Sequence, residues 1–133
     1  MQDEPRAAEI LPALAKFLRE TVTTDHSAHT MFQARVAANA CDLAAREAQL
    51  APASDAAELE RLTALLGRTG SLAELNAELA ARLHDGTLSL ETPDLKAHLW
   101  ATSMAKLAVD QPGYDTFQRH DGSPTAHHPT GTP

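Results

Sequence analysis

Hydrophobic side chains recur at helical spacing in five stretches, and no segment alternates apolar and polar residues over a useful length. Ile10, Leu11, Leu14, Phe17, Leu18 and Val22 form the first amphipathic stripe. It predicts a helix starting near Pro5, with Asp3 or Glu4 capping and Pro5 in the first turn. The polar string Thr23-Thr24-Asp25-His26-Ser27 reads as a connection. A second, longest helix runs from about Ala28 to Leu50 and ends at Ala51-Pro52-Ala53-Ser54, since proline cannot continue the hydrogen-bond ladder. A third covers about Asp55 to Leu66 with Ser54 as N-cap, and Gly67-Arg68-Thr69-Gly70 is the loop after it. The fourth opens on the capping box Ser71-Leu72-Ala73-Glu74 and closes at Asp85-Gly86. The fifth takes Thr92 as cap and Pro93 as first residue, reaches about Val109, and stops at Asp110-Gln111-Pro112-Gly113. The expected fold is an all-α five-helix bundle over residues 1–114. From Asp115 the chain is poor in apolar residues and rich in Pro, Thr, Gly, His and Asp, so residues 115–133 are expected to form a disordered tail.

Composition narrows the function classes. The chain has 133 residues, 43% of them hydrophobic but only 4% aromatic, and much of the apolar content is alanine. The formal charge of -7 argues against nucleic acid, which calls for a basic face against phosphates, and against an anionic membrane surface. No run of about 18 apolar residues exists to span a bilayer, and Met1-Gln2-Asp3-Glu4-Pro5 lacks the apolar segment of a signal peptide. The one cysteine, Cys41, fits a reducing compartment. A cytoplasmic protein is expected.

The second helix carries the most information. With residues at 100° intervals, Phe32, Val36, Leu43 and Leu50 share a face, and Asn39 lies within roughly 20° of its edge. Arg35 and Arg46 flank it. The opposite side is lined by Ala34, Ala37, Ala38, Cys41, Ala44, Ala45 and Ala48, so this helix is expected at the centre, packed on both sides. Arg35 and Asn39 admit two readings: a polar pair aimed at a ligand or partner, or a buried Asn bonded to a backbone carbonyl with Arg35 paired to Glu9 or Asp110. Asn76, among Leu72, Leu75, Leu79 and Leu83, poses the same choice. On the fifth helix Leu95, Leu99, Trp100, Met104 and Leu107 cover more than half the circumference. Either that helix is simply buried, or Trp100 and Met104 belong to an apolar patch for a partner.

No cofactor or metal site is expected. His26 and His29 have ligand-like spacing without a third ligand placed near them, His84 and His98 fall on different helices, and zinc needs a convergent set. Cys41 sits on the alanine face with neither base nor polar setting to make it a nucleophile. Gly67-Arg68-Thr69-Gly70 lacks the lysine and the strand of a phosphate loop.

Three strings, Met1-Gln2-Asp3-Glu4-Pro5-Arg6-Ala7-Ala8-Glu9, Phe32-Gln33-Ala34-Arg35-Val36-Ala37-Ala38-Asn39-Ala40 and Leu107-Ala108-Val109-Asp110-Gln111-Pro112-Gly113-Tyr114, occur in this order. Together they resemble a bacterial family of small uncharacterised proteins encoded beside aminoglycoside-phosphotransferase-like kinases and acyl-CoA dehydrogenases. Some of its members look like the small subunit required by a kinase of hydroxyacyl-CoA intermediates. The chain departs from the family pattern at Gln111 and Gly113, where relatives often carry Asn and Arg, and in its His/Pro/Thr-rich tail. The resemblance implies a non-catalytic accessory subunit of a phosphotransferase-type kinase acting on acyl-CoA or hydroxy-acid intermediates, and transfers no active-site residues. The residues alone leave two alternatives. One is a homodimeric helical module that binds an acyl group or small molecule; the other is a small enzyme using Arg35, Asn39 and a histidine.

Overall fold

The computed structural model describes residues 5–22 and 27–121. Among these there are five α-helices and no strand: α1 (Ala7–Phe17), α2 (Ala28–Leu66), α3 (Leu72–His84), α4 (Leu95–Asp110) and α5 (Asp115–Asp121). A π-helical turn, Leu18–Val22, extends α1. The all-α expectation therefore holds with five helices, but their division along the chain differs in two places.

The first difference is α2. The second and third helices expected from sequence are one helix of 39 residues that passes through Pro52, about 58 Å long at the standard rise. Proline removes the hydrogen bond to Ala48, four residues back. Both Pro52 and Ala48 face outward, so the disruption falls on the solvent side. On the inner side α4 bridges the proline like a splint. The hollow between the two helices is lined by Leu43, Ala51 and Glu58 of α2 and by Thr102, Lys106 and Val109 of α4, and the Arg46 Nε–H donates to the Val109 carbonyl at 2.7 Å. Tertiary contacts on both flanks outweigh a local propensity of about 3 kcal/mol.

The second difference is α5. The segment from Asp115, expected to be disordered, is helical to Asp121 and buries Phe117. An amphipathic turn of seven residues with a single large anchor is too short to register as periodicity. Residues 122–133, the rest of the expected tail, lie outside the described residues.

Local signals set most of the helix ends. Ser71 and Glu74 form the expected capping box, the Ser71 N–H donating to Glu74 Oε2 at 2.8 Å and the Glu74 N–H to Ser71 Oγ at 3.3 Å. Gly67 closes α2 in the left-handed region at φ 69°, where a side chain would be strained. At the first helix the cap is Arg6, whose N–H donates to Glu9; Asp3 and Glu4 lie outside the described residues. The helix expected from Pro93 begins at Leu95, with Asp94 as N-cap at φ 64° and without a side-chain capping bond. Thr92 is drawn instead into the preceding turn, its Oγ1 accepting from the Ser89 N–H.

The leucine core sits at one end of α2. Leu62 and Leu66 pack with Leu75 and Leu79 of α3 and Leu95 of α4, with Leu59, Leu65, Leu72 and Leu88 closing around them. The other end of α2 packs on α1 through small residues, with Ala15 of α1 and Ala34, Ala38 and Ala45 of α2 buried.

Candidate functional site

The alanine seam decides what the first half of α2 shows to its surroundings. Small residues at helical spacing let two helices approach closely, and α1 occupies that side. Among the described residues no helix covers the other over Phe32 and Val36, and α4 reaches it only from Leu43 onward. Phe32, Val36, Leu43 and Leu50, expected against a second neighbour, are exposed, Phe32 to 63%. On α1 the same split appears, with Ala15 buried and Ile10, Leu14 and Phe17 exposed. The expectation that α2 packs on both sides thus fails around Phe32 and Val36, because among the described residues only α1 packs there.

The two candidate polar residues of α2 part company. Asn39 is exposed and bonds to a side chain, not to a backbone carbonyl: the Arg19 Nη2–H donates to Asn39 Oδ1 at 2.9 Å and to Asp42 Oδ2 at 2.5 Å. Arg19 therefore ties the π-turn after α1 to α2. Arg35 is exposed and has no hydrogen bond or ion pair among the described residues, with neither Glu9 nor Asp110. Arg46 takes the Val109 carbonyl in the last turn of α4, where a cation is favoured by the helix dipole. Asn39, Asp42, Arg46 and Asp110 then line a hollow of about 410 Å³. Asn76 behaves structurally, its Nδ2–H donating to Glu58 Oε1 at 2.9 Å.

Trp100 and Met104 differ as well. Met104 is half-buried, whereas Trp100 is 52% exposed and stacks edge-on against His120 of α5, ring centroids 5.1 Å apart at 84°. That contact, with the burial of Phe117 and a Gln118 bond to the Pro112 carbonyl, folds α5 back against α4. Trp100 is thus held on one side by an element absent from the expected bundle.

Sequence reasoning passed over one polar layer. His98 on α4 is only 3% exposed. Its Nδ1, the Arg61 Nε and the Thr102 Oγ1 are buried without a hydrogen-bond partner. Burial pushes His98 below the ordinary histidine range, Arg61 adds to the shift and Glu58 opposes it, which keeps the imidazole neutral near pH 7. A single histidine on a helix gives no pattern that would mark it. The available signal was Arg61, an arginine one position before the buried Leu62. Among the described residues, no three His, Cys, Asp or Glu side chains are grouped to hold a metal ion, and no helix is long and apolar enough to cross a membrane.

A helical domain built on one long spine, with an exposed apolar face and a buried polar layer, is the class that this geometry defines. Residues 24–114 match the family described as a domain of unknown function, DUF6285, and the chain belongs to that family. The matched segment includes α2, α3 and α4, and with them Arg35, Asn39, Trp100 and Met104, while α1 and α5 lie outside it. No curated protein and no solved structure matches the chain.

Proposed function

We propose that the chain is a non-catalytic accessory subunit that docks the outward face of α1 and the first half of α2 on a partner protein. The observation that carries this is the set of large side chains left open there, Ile10, Leu14 and Phe17 on α1 with Phe32 and Val36 on α2. Isolated exposed hydrophobes are ordinary, but a row of them along one helix marks an interaction surface, and α1 and α2 each carry one. Exposed Arg35, unpaired among the described residues, stands on the same half of α2 and can supply an ion pair at the rim. The resemblance of the Phe32–Ala40 string to small proteins encoded beside phosphotransferase-like kinases supports a partner of that class. In this reading the partner carries the chemistry on acyl-CoA or hydroxy-acid intermediates.

Co-expression of the chain with a phosphotransferase-type kinase of the class encoded beside the proteins it resembles, followed by affinity capture, tests the reading. The wild type should retain the kinase through gel filtration, and Phe32→Glu/Val36→Glu should lose it while keeping the helical circular dichroism signal. The same exposed face would equally serve a homodimeric module binding an acyl group or small molecule. An isolated chain that sediments as a dimer, and becomes a monomer in Phe32→Glu/Val36→Glu, would establish that alternative. Retention of the kinase by the double variant would sink the proposed surface.

A further inference from the structure

Between the second half of α2 and the start of α4 lies a groove of about 530 Å³. That is within the range of small-molecule sites, which are largely apolar with a few converging polar groups. Ala64, Leu65, Pro93 and Ala97 supply apolar wall, and Arg61 and His98 line the same groove. These two residues stand on different helices, yet both carry a buried nitrogen without a partner, Nε in one and Nδ1 in the other. Buried polar groups in folded proteins nearly always have partners, so two orphans at one groove are an exception that calls for a ligand.

Among the described residues Arg61 forms no ion pair. Glu58, one turn away on α2, accepts a hydrogen bond from Asn76. Asp94, at the groove's edge, makes neither an ion pair nor a hydrogen bond to Arg61 among the described residues, and its side chain does not cap α4. Lys96 in the first turn of α4 faces Glu91 at 3.8 Å. Of the first N–H groups of α4, that of Leu95 donates to the Thr92 carbonyl at 3.3 Å, and no side chain caps the helix start beside the groove, where negative charge is favoured. Asp94 holds its position at φ 64°, a conformation rare outside glycine.

We propose that this groove binds a small organic monocarboxylate. Its carboxylate pairs with Arg61 and accepts from His98, and its aliphatic body lies along Ala64, Leu65, Pro93 and Ala97. A guanidinium suits a carboxylate fork geometrically. A dianion such as phosphate is disfavoured by the single fixed cation, the Asp94 carboxylate at the rim and the apolar walls. A neutral alcohol would leave Arg61 without an ion-pair partner. The site is on the opposite end of α2 from the docking face and stands independently of it.

Calorimetric titration of the full chain with hexanoate, hexan-1-ol and inorganic phosphate tests the assignment, with amide chemical shifts of Lys96, Ala97 and His98 reporting location. Hexanoate is expected to bind saturably and to move those amides. Arg61→Gln should weaken it about tenfold or more. Because Arg61→Gln removes a partly buried side chain, Ala97→Met provides a second variant: it narrows the groove from an exposed position and should also abolish binding. The proposal is overturned if hexanoate gives no saturable signal, if hexan-1-ol binds as tightly, if phosphate alone binds, or if hexanoate affinity survives in both variants.

Discussion

The two ends of α2 meet their neighbours through different side chains. Toward Leu66 the contact is leucine against leucine: Leu62, Leu75 and Leu95 are wholly enclosed, and α3 and α4 converge on them. Toward Ala28 it is alanine against alanine, with Ala15, Ala34, Ala38 and Ala45 enclosed between two helices only. A fully buried leucine contributes about 1.5–3 kcal/mol, and a single methylene group about 0.8 kcal/mol. The leucine end accordingly supplies most of the hydrophobic stabilisation, while the alanine end fixes a close helix pair at small gain. The difference also explains the surface. A helix that spends its small residues on its one neighbour has only its large residues left to point away from it, and Phe32 and Val36 do so.

Removing bulk should separate the ends most clearly. Leu75→Ala is expected to cost about 2–5 kcal/mol in chemical denaturation, as for other enclosed leucines, whereas Phe32→Ala should stay within about 0.5 kcal/mol of the wild type. Comparable losses at both positions would mean that the exposed face is covered in solution. Phe117→Ala ranks next, at about 1.5–3 kcal/mol, because its side chain is buried although it lies on the short α5. An unchanged melting temperature would show that α5 contributes nothing to the fold. In the seam the opposite operation is informative. Ala38 is completely enclosed, so Ala38→Leu should force α1 and α2 apart and cost about 1–3 kcal/mol.

The polar layer beside the leucine end predicts a pH dependence. The folded-state pKa of His98 is lowered, chiefly by burial, so the folded protein binds fewer protons than the unfolded one around that residue. Its contribution to stability is present above the ordinary histidine value near pH 6.5 and is lost as pH falls below it. Melting temperatures between pH 7.5 and 5 should therefore fall more steeply in the wild type than in His98→Gln; parallel profiles would contradict a neutral buried imidazole. The smallest effect is expected from Asn39→Ala. Asn39 is exposed and its partner Arg19 keeps Asp42, so the cost should be about 0.5 kcal/mol or less. A loss above about 1 kcal/mol would restore the reading of Asn39 as a buried structural residue.

By itself, the sequence determined what local chemistry determines. Helical periodicity excluded strands, Ser71 and Glu74 set the start of α3, Gly67 set the end of α2, and the alternation of leucine and alanine marked two kinds of helix face. Each of these rests on interactions within a few residues of chain. Tertiary structure decided the rest. Whether Pro52 breaks a helix depends on α4 lying across it, which no window around Pro52 contains. Whether Phe32 and Val36 are core or surface depends on how many helices arrive at that end of α2, and among the described residues only α1 does so. Phe117 is enclosed because α5 turns back along α4, and Trp100 is positioned by the same return. The candidate sites divide in the same way. Arg35 was legible as an arginine beside an apolar stripe, whereas Arg61 and His98 are 37 positions apart in the sequence. They line one groove only because α2 and α4 lie side by side there.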